Sequence, residues 1–154
     1  MRPRKIGDTS LAPSRYKFLP HTTDAYIESV GGTFEEALEN AGLALFDTMC
    51  NLAKISRKQV AEIQAEGDDE VGLLYDWLET LLLKFELEGK VYSKFDITVV
   101  KVGSSALRLI AKAYGEPYNR KTHGSKVEVK AVTYHRMEVV RESGVFVLRF
   151  ILDL

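Results

Sequence analysis

The chain has 154 residues, of which 45% are hydrophobic and 28% are charged, and its formal net charge is -1. This composition is typical of one soluble globular domain with a sizeable core, and it excludes a disordered chain. A net charge so close to zero argues against a protein that binds nucleic acid mainly by neutralising phosphates, although basic residues cluster at Met1–Lys5 and at Arg120, Lys121 and Lys126. The single cysteine, Cys50, excludes an internal disulfide and a cysteine-cluster metal site.

Residues 1–15 are predicted to form a flexible extension, because proline, glycine and serine recur there, and residues 16–154 are predicted to form the domain. The extension is basic but lacks the apolar segment of a secretory signal. No apolar run approaches the ~20 residues that a membrane-spanning helix needs. We therefore expect a cytoplasmic protein, with the nucleus as the alternative in a eukaryotic cell, and no membrane partner.

The hydrophobic pattern predicts seven strands, which in chain order are residues 16–19, 25–30, 60–66, 92–102, 106–114, 126–140 and 145–154. Two amphipathic helices lie between them. The first begins at a capping box formed by Thr33 and Glu36 and runs to about residue 51, whereas the second is capped by Asp68 and Asp69 and stops at Gly89. Short turns between neighbouring strands favour antiparallel pairing. The prediction is an α+β domain of mostly antiparallel sheet, with the two main helices packed on the sheet.

The strand predicted around Lys126–His135 carries ionisable side chains on one face. Strict alternation places one set of residues on the first face, namely Val127, Val129, Ala131 and Thr133, and the other set on the second face, namely Lys126, Glu128, Lys130, Val132 and Tyr134. A half-exposed strand with a solvated face is the simplest explanation of this pattern. Binding sites are nevertheless built where rigid elements carry such groups, so the strand is a candidate for function.

The candidate chemistry reduces to a pair of carboxylates, because the sequence has no glycine-rich phosphate loop, no Gly-x-Ser-x-Gly elbow and no short-spaced zinc ligands. Asp24 precedes an early strand, and Asp153 stands next to Leu154 and its α-carboxylate. If these groups lie together, all their donors are oxygens, which suits Ca²⁺, Mg²⁺ or Mn²⁺, with Lys130 as the natural basic neighbour. From spacing alone, a solvated strand end is the better explanation of Asp153.

Several separated blocks between Tyr16 and Leu154 together resemble the archease family. In chain order the blocks are Phe18–Asp24, Thr33–Ala41, Trp77–Leu78, Gly115–Pro117, His123–Gly124, Glu128–His135 and Ile151–Leu154. Blocks that occur in the right order are a more specific signal than any one short motif. The chain departs from the family's usual pattern around Asp24 and at Leu154, and neither departure removes an oxygen ligand.

The resemblance implies an activator protein rather than an enzyme. Archeases assist the GTP- and metal-dependent RNA-splicing ligase, which joins RNA ends carrying a 2′,3′-cyclic phosphate or 3′-phosphate to 5′-hydroxyl ends, as in tRNA splicing. They promote guanylylation of the ligase and permit multiple turnover. By position, the family's metal site falls on Asp24, Asp153 and Leu154, with Ca²⁺ as the expected ion, and the lysine important for activation is Lys130. The expected partner is the ligase itself, without stable direct RNA binding.

Two functions of other classes remain open. The first is a metal-dependent phosphoesterase that uses the same carboxylates with His21 or His123 as acid or base. The second is a general chaperone or adaptor protein without metal chemistry.

Overall fold

The computed structural model of the protein describes residues 15–21 and 23–154. Within them, seven strands and three α-helices follow in the order β1 Tyr16–Leu19, β2 Ala25–Gly31, α1 Phe34–Met49, β3 Gln59–Gly67, α2 Glu70–Glu88, β4 Lys90–Val102, β5 Ala106–Pro117, α3 Arg120–His123, β6 Ala131–Glu142 and β7 Val145–Asp153. One turn of 3₁₀ helix, Leu52–Lys54, lies between α1 and β3. The flexible extension predicted for residues 1–15 lies outside the described residues except for Arg15. None of the described helices has the length and apolar character needed to cross a membrane.

The strands form two antiparallel sheets rather than one. The four-stranded sheet has the order β1-β2-β7-β6, and the three-stranded sheet has the order β3-β5-β4. The two predicted hairpins are present, joining β4 to β5 and β6 to β7. Because β7 lies between β2 and β6, the first and last strands of the chain share one sheet. The predicted α+β class, with antiparallel strands and two main helices, is confirmed.

Local side-chain chemistry fixes the ends of both main helices. The Thr33 hydroxyl accepts a hydrogen bond from the Glu36 amide at 3.1 Å, and the Glu36 carboxylate accepts one from the Gly32 amide at 2.6 Å. This reciprocal pair satisfies amide groups that an uncapped helix would leave without a partner. Asp69 caps α2 with a single bond, which its side chain accepts from the Gly72 amide at 2.7 Å, and Gly89 ends the helix in the left-handed conformation with φ of 65°.

The hydrophobic core lies where the two helices meet the two sheets. Helix α1 packs against β2 and β4, and α2 packs against β3 and β6, so each helix contacts both sheets. Trp77 of α2 is fully buried, and its indole N–H donates to the Leu38 carbonyl of α1 at 2.9 Å. Burying a side chain of the size of Leu38 or Phe46 stabilises a fold by about 1.5–3 kcal/mol. The helices therefore hold the two sheets in one unit.

The strand predicted around Lys126–His135 is only partly correct. Residues Lys126–Lys130 are not in a strand, and β6 begins at Ala131. Val129 and Val132 are both buried, whereas Val127 and Ala131 are exposed, so the predicted alternation across this stretch is wrong.

The physical reason is that this stretch bonds to partners on two different elements. The Lys126 amide donates to the Met49 carbonyl at the end of α1, at 2.9 Å. The Lys130 amide donates to the Asp153 carbonyl of β7, at 2.7 Å. Residues 124–130, here called the connecting segment, therefore cross from the end of a helix to the end of a sheet before β6 begins.

Candidate functional site

One end of the four-stranded sheet brings together residues that are far apart in sequence. Ala25 of β2 pairs with Leu152 of β7. Asp24 and Asp153 each stand one residue beyond this pair, so both lie at the same end of the sheet. Asp24 and Leu154 also line a common cavity of about 450 Å³. The Asp153 side chain is exposed and does not line that cavity.

The cavity, here called the sheet-end cavity, combines polar walls with an apolar rim. His21, Asp24 and Asp47 contribute polar groups to its wall. Phe18 and Val127 also line it, and they leave 50% and 43% of their surface exposed. Large exposed apolar groups around a polar cleft are typical of a surface that contacts another molecule.

Lys130 approaches this end of the sheet through its backbone. Its amide bonds to the Asp153 carbonyl, which fixes the position of the residue beside the end of β7. Its side chain is exposed and forms no ion pair with another described residue. The structure thus places Lys130 next to Asp153 and leaves its ammonium group accessible to solvent.

Asp47 is a site residue that sequence reasoning missed. One of its carboxylate oxygens accepts a hydrogen bond from the Tyr16 hydroxyl at 2.9 Å, and the other binds the Lys126 ammonium at 2.8 Å. The Lys126 ammonium also donates to the Asp47 carbonyl at 2.9 Å. Burial and then the charge of Asp47 raise the pKa of Tyr16. This network, here called the Asp47 clamp, ties β1 and the connecting segment to α1.

One sequence signal could have found Asp47. It lies in the last turn of α1, a helix that the sequence predicts, and the helix dipole disfavours negative charge there. A carboxylate in such a place needs a cation from elsewhere in the chain. The sequence does not show that Lys126, 79 residues away, supplies it.

His123 has a structural role. Its ring is 1% exposed, its Nδ1 accepts a hydrogen bond from the Asn119 amide at 2.9 Å, and its Nε2 lies 2.7 Å from Glu116. The proton must therefore be on Nε2, which donates to the Glu116 carboxylate. The Ser56 amide, followed by His123, holds the pKa of Glu116 below its ordinary value. Both ring nitrogens of His123 are used in these bonds, so neither is free for acid–base work. The other histidine proposed for that role, His21, has its Nδ1 3.9 Å from a carboxylate oxygen of Asp24.

Within the described ranges, the end of the sheet carries oxygen donors but no three-residue cluster of metal-binding side chains. Among the described residues, no three His, Cys, Asp or Glu side chains form a group that could hold one. A cation here would depend on Asp24 and Asp153 together with oxygens of Leu154. These donors are all oxygens, which is the chemistry that Ca²⁺ and Mg²⁺ prefer, so the residues fit a hard cation in ligand type.

The fold and the site define a small α+β protein with an oxygen-rich cleft at the end of its four-stranded sheet. Comparisons with known proteins agree on its relatives. Residues 16–154 match the model of the Archease protein family (MTH1598/TM1083). The archease of Sulfolobus acidocaldarius is 37% identical over 92% of this chain and 99% of its own length, and that of Pyrococcus abyssi is 41% identical over 81% and 87%. The chain belongs to the archease family, as its sequence blocks predict.

Two solved structures support the fold. The solution structure of Methanobacterium thermoautotrophicum protein 1598 has a sequence 34% identical to this chain and a TM-score of 0.79. The match covers 91% of this chain and 99% of the chain in that structure. The crystal structure of an archease from Thermotoga maritima has a sequence 20% identical to this chain and a TM-score of 0.56. The match covers 90% of this chain and 96% of the chain in that structure. The second likeness concerns the fold alone.

Proposed function

We propose that this chain is an accessory protein that activates a GTP- and metal-dependent RNA ligase. The ligase joins RNA ends that carry a 2′,3′-cyclic phosphate or 3′-phosphate to 5′-hydroxyl ends, as in tRNA splicing, and the chain promotes its guanylylation and multiple turnover. Membership of the archease family supports the proposal. The observation that carries it is the convergence of Asp24, Asp153 and Leu154 at one end of a sheet, with Lys130 bonded to the same end.

In this proposal, Asp24, Asp153 and Leu154 hold a hard divalent cation, for which Ca²⁺ is the first candidate and Mg²⁺ or Mn²⁺ the alternatives. When bound, the ion supplies the positive charge that allows two neighbouring carboxylates to stay ionised. Lys130 has a separate task. Because its backbone is fixed and its ammonium is exposed, it can donate hydrogen bonds to phosphate or carboxylate oxygens of the partner.

The rim of the sheet-end cavity is suited to contact with the ligase. Phe18 and Val127 both line the cleft and present exposed apolar surface, and aromatic side chains contribute strongly to protein interfaces. A partner that covers this rim would exclude water from the acidic end of the sheet. Exclusion of water strengthens the interactions of charged groups beneath it.

The test is a guanylylation assay with the cognate ligase and labelled GTP. Asp24→Ala, Asp153→Ala and Lys130→Ala should each lower the stimulated rate by about tenfold or more, as is usual when a metal ligand or its supporting group is removed. Lys101→Ala, which removes an exposed lysine at the far hairpin, is the matched control and should keep full stimulation. Full stimulation by all three site variants, with unchanged melting temperatures, would refute the proposal.

Two further measurements separate this function from the alternatives. Turnover of RNA or a phosphate ester by the isolated chain, lost in Asp24→Ala, would assign a phosphoesterase instead. Protection of unrelated proteins from aggregation that is insensitive to Asp153→Ala would assign a general chaperone. Calcium titration of the isolated chain, with Asp24→Ala as the comparison, tests the metal site without the ligase.

A further inference from the structure

Positive charge is concentrated on a surface that the proposed function does not use. Six cationic residues from three separate segments form it, here called the basic surface: Arg15, Lys54, Arg57, Lys58, Arg120 and Lys121. All six are exposed. None of them forms an ion pair with another residue in the part of the chain that the structure describes. Of these six residues, only Arg120 and Lys121 belong to the basic clusters named from the sequence above.

Specific hydrogen bonds bring the segments together. The Asn51 amide donates to the His123 carbonyl at 2.8 Å, and the Ser56 amide donates to the Glu116 carboxylate at 2.8 Å. These bonds hold α3 against the stretch that links α1 to β3. Arg15 and Arg57 both line a cleft that includes residues of this stretch and has a volume of about 610 Å³.

The acidic groups within these contacts offset only part of this charge. Glu116 accepts hydrogen bonds from the neutral Ser56 amide and the neutral His123 ring, so it keeps one negative charge close to Lys58. Asp47, which also lines the cleft, belongs to the Asp47 clamp and is neutralised by Lys126. Six exposed cations therefore face one carboxylate that no cation pairs with, which leaves an excess of positive charge on this surface in a chain whose net charge is -1. Like charges gathered in this way repel one another, and an anionic ligand removes that cost.

We infer that the basic surface binds the phosphate backbone of single-stranded RNA. The cleft is within the size range of pockets that hold small ligands, roughly 300–1,000 Å³. Arg15 and Arg57 present planar forks that match phosphate oxygens, and Asn51 and Ser56 add an amide and a hydroxyl to the same wall. A cleft with two arginine forks suits a strand that enters it better than it suits a flat acidic protein face.

The lysines on either side can follow the backbone of such a strand, which is how many proteins hold single strands without reading their sequence. With few phosphate contacts the binding is weak and depends on salt, with a dissociation constant on the order of 10⁻⁵ M. Weak binding of this kind differs from stable RNA binding, which the sequence analysis does not expect. The charges select a phosphate backbone, and the choice of RNA rests on the proposed function. The isolated chain suffices to test the binding, so its failure is distinguishable from failure of the guanylylation assay.

The experiment is a fluorescence anisotropy titration of labelled oligouridylate with the isolated full chain at several salt concentrations. The test variant is Arg57→Ala with Lys58→Ala. The control is Lys101→Ala with Lys112→Ala, which removes the same charge from exposed positions on β4 and β5. The test variant should bind about tenfold more weakly or worse at low salt, and its slope of log affinity against log salt should fall by about 1.4, that is, about 0.7 for each lost contact. The control should stay within about twofold of the wild type.

Three results would overturn the inference: no RNA binding by the wild type, equal weakening by both variants, or competition by oligoglutamate as effective as competition by RNA. The last result would assign the surface to an acidic protein partner. Melting curves check that the variants are folded. Arg15→Ala, on a different segment of the same cleft, should give the same direction of change and keeps the test decisive if the double variant does not fold.

Discussion

Replacing Lys126 by methionine tests whether the Asp47 clamp positions the connecting segment. Methionine keeps most of the apolar stem and removes the ammonium group. The ion pair with Asp47 joins side chains that are 49% and 26% exposed, so solvent screens it and it contributes about 0.2–1 kcal/mol. The additional hydrogen bond to the Asp47 carbonyl adds about 1 kcal/mol. The total of about 1–2 kcal/mol corresponds to a factor of about 5–30 in a local opening equilibrium.

Amide hydrogen exchange followed by NMR measures this change in the local opening equilibrium. The Lys130 amide, which is protected by the Asp153 carbonyl, should exchange about 5–30 times faster in Lys126→Met. Amides at the tip of the β4–β5 hairpin should keep their rates, and the melting temperature should fall by about 2–8 °C. Lys101→Met is the control. An unchanged rate at Lys130 would show that the clamp does not position this segment.

Three other predictions concern stability and reactivity. Glu116→Gln removes a carboxylate whose lowered pKa stabilises the fold above the ordinary value of 4.5, and this stability is lost as the pH falls. The melting temperature of the variant should therefore decline less than that of the wild type below pH 4.5, and parallel declines would contradict the assignment. Gly115→Ala places a methyl group 1.8 Å from a carbonyl oxygen of β4 and should cost on the order of 3 kcal/mol in urea unfolding. Gly32→Ala, whose nearest neighbour is 3.5 Å away, should cost at most about 0.5 kcal/mol, and similar costs would refute the packing argument. Burial raises the pKa of the Cys50 thiol to about 11, so Ellman's reagent at neutral pH should react with it only after unfolding, whereas rapid reaction of the native protein would show that the thiol is accessible.

The elements that the sequence predicts correctly are those whose signals are local. Thr33 and Glu36 mark the start of α1 because the two bonds of the capping box are formed within four residues. Gly89 marks the end of α2 because a left-handed residue is needed there. The hairpin turns are equally local. Such signals are independent of how the sheets later pack, and they therefore identify the class of the fold.

The connecting segment shows why other features could not be predicted. Residues Lys126–Lys130 alternate like a strand, yet their hydrogen bonds go to Met49 and Asp153, which no periodicity reveals. The α3 turn was missed for a related reason, because it is only four residues long and is capped by Asn119. A pattern records the character of side chains, whereas the path of the backbone depends on distant partners.

The candidate site likewise has one part that could be predicted from the sequence and one part that could not. Asp24 and Asp153 are placed together in the prediction by the resemblance to archeases, since spacing alone favours a solvated strand end for Asp153. The pairing of β2 with β7 brings them to one end of the sheet, and that pairing is invisible in the sequence. Asp47 and the basic surface were missed because each combines residues from separate segments.

The central position of β7 has a consequence for how the protein is made. β2 can find its inner neighbour only after residues 145–153 have been synthesised, and the ion pair between Glu28 and Arg149 joins residues 121 positions apart. Contacts this distant in sequence slow folding, and they leave one edge of β2 without its hydrogen-bonding partner while the ribosome is still at work. The acidic end of the sheet thus cannot form until β7 and Leu154 have been synthesised.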